Sequence, residues 1–214
     1  MAHWWWRTWG AALIAALAAL AAVIPAHAAP APSPCLAETA RAETARRIPP
    51  QLLSAIALAE SGRWDRERQE TIAWPWTIYA EGRAHYLPTK ARAVAEVKRL
   101  RARGVRNIDV GCMQVNLHYH PNAFATLEEA FDPTTNVAYA ADLLLRLKNE
   151  TRSWSRSIGF YHSRRTKHGG PYRLRVQRLW ITERRRAALE RRAERAAYYR
   201  KRKATIAAVQ RRLL

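Results

Sequence analysis

Glu60 is the residue whose surroundings best suit acid chemistry. It ends an apolar stretch over residues 52–59, and the proline pair before that stretch and Gly62 after it predict a helix over 50–61. Leu53, Ile56 and Glu60 share one face of this helix, because successive spacings of three and four residues stay on the same side. A carboxylate is therefore expected on the face that points to the core or to a cleft.

Two effects predict a raised pKa for Glu60. The residue lies in the last turn of the helix, where the macrodipole is negative and disfavours a further negative charge. Partial burial also disfavours the ionised form. A carboxylic acid that stays protonated near neutral pH can act as a general acid. The alternative is an exposed glutamate, or one that is paired with Arg63 or Arg66.

The elements that must position this acid are predicted to be mainly α-helical. Asp132 followed by proline is typical of a helix start, and it precedes a long periodic apolar pattern. The stretch 74–88 is aromatic and irregular, and we expect a loop or short hairpin along a groove. The other predicted elements are helices over 89–103 and 154–162, a polar loop over 164–171, and a last helix over 172–180 that continues into the tail.

The N-terminal region has the pattern of an export signal. Arg7 supplies positive charge, residues 11–24 form an apolar run without charge, and residues 26–28 match an Ala-x-Ala cleavage site. We therefore expect export to the periplasm or medium, with an uncleaved anchor as the alternative. The chain then divides into a signal peptide (1–28), a linker or N-terminal extension (29–44), a folded domain (45–180) and a basic tail (181–214).

The two cysteines, Cys35 and Cys112, match no zinc-binding spacing. An oxidising compartment after export would let them form a disulfide, so we predict that bond. The alternative is that Cys112 is a buried free thiol, which is common for this residue type.

Four motifs occur in order along the chain. They are an apolar helix ending in Glu60-Ser61, the string GCMQVN over 111–116, FDP followed by Asn136-Val137, and SIGFYHS over 157–163. Together they resemble the soluble lytic transglycosylase family. His162 departs from the family pattern, which has Asn after the Tyr.

The resemblance implies a lysozyme-like α domain with a cleft for peptidoglycan. It implies cleavage of the β-1,4 bond between N-acetylmuramic acid and N-acetylglucosamine, with 1,6-anhydromuramoyl ends as products. The single catalytic acid of the family corresponds to Glu60, and no cofactor is expected. The family motifs make the following residues candidates for substrate binding: Ser61, Met113, Gln114, Asn116 and Tyr161. The aromatic residues of the 74–88 stretch are candidates for stacking on sugars: Trp74, Trp76 and Tyr79.

Two other functions fit the same residues. Glycoside hydrolysis usually needs two carboxylates, so a hydrolytic muramidase would require a second acid beside Glu60. Glu81 is the best candidate for that acid and Asp109 is another, but neither has an equally suitable setting in the sequence. A basic wall-binding protein without activity is the other alternative, although a retained acid at Glu60 argues against it.

The formal net charge of +20 indicates polyanionic partners. Export argues against nucleic acid, so anionic wall polymer and a membrane surface are the candidates for the tail, where twelve Lys/Arg stand against three Glu. An exported binder of nucleic acid or membrane, driven by charge alone, is a third function class. The histidines 118, 120 and 162 lack a completing carboxylate, so we expect no metal, and we expect a monomer.

Overall fold

The computed structural model describes residues 33–213. The expected signal peptide and the first residues of the expected linker lie outside the described residues. The helices are α1 (Pro34–Arg46), α2 (Leu52–Ser61), α3 (Lys90–Ala102), α4 (Leu127–Ala130), α5 (Pro133–Thr151), α6 (Trp154–His162) and α7 (Thr166–Leu213). The strands are β1 (Gly62–Asp65), β2 (Glu70–Ala73), β3 (Thr77–Ala80), β4 (Arg83–Tyr86), β5 (Asp109–Val110) and β6 (Val115–Asn116). The prediction of a mainly α fold is confirmed.

Side-chain caps fix the starts of several helices. Thr89, Asp132 and Ser153 each accept a hydrogen bond from a backbone N–H three residues later, at the starts of α3, α5 and α6. The predicted helix over 154–162 matches α6 at both ends. Local sequence therefore determined these boundaries.

The second half of the predicted linker or N-terminal extension (29–44) is helical, because α1 begins at Pro34. Thr39 is fully buried in α1, and its hydroxyl lies 2.9 Å from that of Ser54 in α2. The Glu43 carboxylate accepts the backbone N–H groups of Gln51 and Ser54 at 2.7 and 3.1 Å, which satisfies the free amides at the start of α2. α1 thus belongs to the domain and anchors the helix that carries Glu60.

The predicted disulfide is present. Cys35 in α1 is bonded to Cys112, and their Cα atoms are 5.5 Å apart. Both side chains are fully buried. The bond ties α1 to the loop between β5 and β6, which borders the predicted site.

The predicted loop over 164–171 is also wrong, because α7 begins at Thr166 and contains Pro171. Two glycines explain the close packing of α7 on α6. A Cβ atom on Gly169 would lie 2.8 Å from the carbonyl oxygen of Gly159, so the helices approach at a distance that a side chain would prevent. Tertiary packing here overrides weak local helix propensity. α7 continues without a break past residue 180, so no structural boundary separates the domain from the tail there.

The predicted hairpin within 74–88 consists of β3 and β4, in a sheet of strand order β4-β3-β5-β6. Ile78 pairs with Val110, which pairs with Val115, and all three face the core. Neighbouring strand residues point to the opposite face. That other face carries Tyr79, Asp109 and Asn116.

No helix within the described range has both the length and the apolar composition to cross a bilayer.

Candidate active site

Glu60 lies in the last turn of α2 and is partly exposed. The hydroxyl of Tyr172, from α7, donates a hydrogen bond of 2.6 Å to Glu60 Oε1. The ring of Tyr172 is stacked on that of His162 with centroids 4.6 Å apart and planes inclined by 9°. Three helices therefore hold the acid, its hydrogen-bond donor and the ring that supports the donor.

The surroundings of Glu60 raise its pKa to about 7. Burial is the largest cause, and the negative charge of Asp109 raises the pKa further. The hydrogen bond from Tyr172 and the positive charge of Arg175 act in the opposite direction. A glutamic acid with this pKa can both donate and recover a proton near neutral pH, as general acid–base catalysis requires.

Ser61 and Met113, two of the residues predicted to bind substrate, lie in the core. Both side chains are fully buried. The Ser61 hydroxyl donates to the carbonyl oxygen of Cys112 at 2.7 Å, and the Met113 side chain packs in the core. These contacts hold the GCMQVN loop against α2, and a role of Ser61 and Met113 in substrate binding stays a prediction.

Tyr161 is tied to the same loop. Its hydroxyl donates a hydrogen bond of 2.8 Å to the carbonyl oxygen of Met113. Burial, followed by the negative charges of Glu60 and Asp109, raises the pKa of Tyr161 well above its usual range. The tyrosine therefore remains a neutral hydroxyl close to the acid, as a substrate-binding role would require.

Asn136 builds the turn that presents Gln114. Its fully buried amide donates to the carbonyl oxygens of Val110 and Ala130 and accepts from the Met113 N–H at 2.9 Å. Gly111 has a φ of 83°, and a Cβ there would lie 2.3 Å from the Asn136 amide nitrogen. Only glycine fits this position without displacing Asn136.

Gln114 is buried beside this turn. Its amide nitrogen donates to the carbonyl oxygens of Thr77 and Gly111 at 3.1 and 2.9 Å. Its amide oxygen has no hydrogen-bond partner among the residues that the structure describes. The role of Gln114 in substrate binding stays a prediction.

Tyr79, Asp109 and Asn116 form a row across the sheet. Tyr79 pairs with Asp109, which pairs with Asn116, so the three side chains share the face opposite the core. The Asn116 amide donates to Asp109 Oδ1 at 2.6 Å. Asp109 acts electrostatically on both Glu60 and Tyr161. We call this row of three residues the cleft wall, after the cleft that the family resemblance implies.

The three predicted stacking aromatics differ in availability. The guanidinium of Arg63 covers one face of Trp74 at 3.5 Å from the ring centroid, and the Trp74 indole donates to the Leu87 carbonyl oxygen. Trp76 packs partly buried against the core. Tyr79 is 44% exposed on the cleft wall. Tyr79 is therefore the best placed of the three to stack on a sugar.

Glu81, the preferred second acid, is paired with an arginine. It occupies the turn between β3 and β4, where its carboxylate accepts a hydrogen bond of 2.9 Å from Arg103, the C-cap residue of α3. The structure instead brings Asp109 close to Glu60. Burial raises the pKa of Asp109, while the hydrogen bond from Asn116 lowers it.

The histidines have separate surroundings. His120 contacts the Tyr139 hydroxyl at 3.0 Å, His118 lies against the ring of Tyr119, and His162 stacks on Tyr172. Within residues 33–213, no group of three His, Cys, Asp or Glu side chains is arranged to hold a metal ion.

The sequence did not indicate Tyr172 as a hydrogen-bond partner of Glu60, and it favoured Glu81 over Asp109 as a second acid. Tyr172 lies 112 residues after Glu60. It is the first residue of the predicted helix over 172–180, directly after the predicted loop over 164–171. No periodic pattern links these positions. For Asp109, the alternation of Asp109 with the apolar Val110 and Ile108 was a usable indication that its side chain leaves the core.

Comparison with protein-family models matches residues 38–170 to the transglycosylase SLT domain. The match begins in α1 and ends early in α7, so it includes Glu60, the GCMQVN loop and Tyr161. No curated protein and no solved structure matches the chain.

Proposed function

This chain belongs to the transglycosylase SLT domain family, whose members act on peptidoglycan, and we propose that it is an exported lytic transglycosylase with Glu60 as its catalytic acid and base. The observation that carries this proposal is the partly exposed Glu60 carboxyl group, which accepts the hydrogen bond of 2.6 Å from Tyr172 and whose pKa is raised to about 7 mainly by burial. The proposed substrate bond is the β-1,4 linkage between N-acetylmuramic acid and N-acetylglucosamine.

The proposed reaction has two proton transfers at one carboxyl group. Protonated Glu60 first donates its proton to the glycosidic oxygen, and the bond from that oxygen to the muramoyl anomeric carbon breaks. The carboxylate then accepts the proton of the muramoyl 6-hydroxyl, whose oxygen attacks the anomeric carbon and closes the 1,6-anhydro ring. Intramolecular attack avoids the entropy cost of bringing in a second reactant. No water is consumed, and the acid returns to its protonated state.

Asp109 favours one second candidate, a hydrolytic muramidase that acts on the same bond. Hydrolysis needs a carboxylate that activates water or forms a covalent intermediate. Asp109 is the acid on the cleft wall that acts on Glu60 electrostatically. Its Oδ1 already accepts the short hydrogen bond from Asn116, which favours a role in holding the cleft wall. We therefore keep the transglycosylase as the proposal.

Digestion of purified peptidoglycan in ¹⁸O-labelled water separates the two candidates. The transglycosylase yields 1,6-anhydromuramoyl ends without label, whereas the muramidase yields reducing ends that carry label. Asp109→Asn adds an independent comparison, because a transglycosylase should retain unlabelled product and a muramidase should lose cleavage. Glu60→Gln should abolish product in either case. Product formation by Glu60→Gln would contradict both the transglycosylase and the muramidase, because each uses Glu60 as its acid.

Export is supported by the buried disulfide, because such bonds persist in oxidising compartments. It is also consistent with a substrate that lies outside the cytoplasm. The test is fractionation of cells that express the full chain, with mass spectrometry of the recovered protein. We expect an extracytoplasmic protein whose N-terminus is near Ala29 and whose cysteines are oxidised. Recovery of an intact N-terminus in the membrane fraction would support the uncleaved anchor instead.

A further inference from the structure

The second half of α7 extends beyond the residues that pack against the domain. Glu183 is the last buried residue of the helix, and almost every described position after it is exposed. A solvent-exposed helix gains little from packing, so its side chains are available to a partner. The twelve Lys/Arg and three Glu of residues 181–214 make that partner anionic.

Four arginines lie along one line of this helix. Arg184, Arg191, Arg195 and Arg202 are separated by seven, four and seven residues, which correspond to about two, one and two turns. At about 100° per residue they stay within roughly 40° of one another, and they span about 27 Å at the rise of an α-helix. We call these four residues the arginine stripe.

Exposed apolar and aromatic residues accompany the arginine stripe. Ile181, Tyr199, Ile206 and Val209 lie within roughly a sixth of a turn of its line, by the same helical geometry. They are 51%, 57%, 49% and 52% exposed. The acidic residues Glu183, Glu190 and Glu194 lie about a third of a turn away, on the side that continues the buried face of α7. The stripe side therefore combines positive charge with unburied apolar surface.

A groove runs beside the start of the stripe. It has a volume of about 940 Å³ and lies between the Pro49–Pro50 turn and α7. Arg184, Arg185 and Arg191 line it together with the indole of Trp180. The groove offers guanidinium groups next to an amphipathic ring, a combination that suits a phosphate group with an apolar neighbour.

We propose that the stripe side of α7 binds the surface of an anionic phospholipid membrane. Lipid phosphates match the arginines, tyrosine rings suit the headgroup level, and isoleucine and valine gain from burial at the acyl boundary. A nucleic acid would use the arginines but leave the apolar residues in water. Membrane binding would hold a wall-cleaving domain beside the bilayer, but the binding itself does not depend on the activity of Glu60.

The test is hydrogen–deuterium exchange of the full chain with lipid vesicles, followed at peptides that cover residues 184–212. This readout is local to α7, so binding by the N-terminal apolar run does not obscure it. Vesicles of phosphatidylglycerol and phosphatidylcholine should protect these peptides, and vesicles of phosphatidylcholine alone should not. The stripe variant replaces Arg184, Arg191, Arg195 and Arg202 by glutamine. The control replaces four basic residues off the stripe in the same way: Arg200, Lys201, Arg211 and Arg212.

The stripe variant should weaken the vesicle affinity of α7 by about a thousandfold at low salt, since each basic residue near an anionic surface contributes roughly fivefold. The control should retain most of the protection, and both variants should cleave soluble glycan strands like the wild type. Equal loss in both variants would overturn the proposal, because net charge alone would then explain binding. Stronger protection by a duplex DNA at equal phosphate concentration would overturn it in favour of a nucleic-acid surface.

Discussion

Replacing Glu60 by glutamine should abolish wall cleavage and also change how the stability of the protein depends on pH. The carboxyl group has a pKa of about 7 in the folded protein, against an ordinary value of 4.5. Because the pKa of Glu60 is raised on folding, Glu60 makes its full contribution to the free energy of unfolding of the wild type below pH 4.5. That contribution is lost as the pH rises through 7. Glutamine does not titrate, so the variant lacks this loss.

The raised pKa corresponds to about 3 kcal/mol when Glu60 is fully ionised. Part of the Glu60 side chain reaches solvent, so the expected difference is about 1–3 kcal/mol. The free energies of unfolding of variant and wild type should therefore diverge between pH 4 and pH 9, with Glu60→Gln the more stable at pH 9. Loss of the general acid and base should lower the rate by roughly 10²–10⁴-fold or more.

Urea unfolding at several pH values measures the first effect, and product release from purified peptidoglycan measures the second. Glu96→Gln is a matched control, because its hydrogen bond from Arg99 lowers the pKa of Glu96. The small effect of Glu96→Gln on the free energy of unfolding should therefore depend on pH in the opposite direction. Parallel stability curves for wild type and Glu60→Gln would refute the raised pKa. Near-wild-type lysis by the variant would refute the catalytic assignment.

Four further outcomes are expected. Tyr172→Phe removes a hydrogen bond that lowers the pKa of Glu60, so the alkaline limb of kcat/KM should move to higher pH while the maximal rate falls. Asp109→Asn removes a negative charge that raises the same pKa, and the limb should move to lower pH; a shift in the same direction in both variants would contradict the electrostatic account. Gly111→Ala should lower the free energy of unfolding by about 1–3 kcal/mol, through its positive φ and a steric clash, as measured by urea unfolding. Reduction of the disulfide should lower the free energy of unfolding by on the order of 4 kcal/mol, and an unchanged urea midpoint would contradict this prediction.

The sequence by itself determined the elements that rest on local interactions. The spacing of Leu53, Ile56 and Glu60 placed a carboxylate on the apolar face of α2, because helical periodicity depends only on neighbouring residues. The cap of α5 at Asp132 was visible for the same reason. The cysteine pair followed from composition together with the predicted export, since two cysteines have one intramolecular pairing available.

Only the tertiary structure determined which side chains meet at Glu60. Tyr172 reaches the acid from 112 residues away through the contact of Gly159 with Gly169, and no local pattern encodes such an approach. Strand pairing aligned Tyr79 with Asp109, because backbone hydrogen bonds between distant segments fix the register. Long-range packing therefore assembled the surroundings that raise the pKa of an acid which the sequence had already placed.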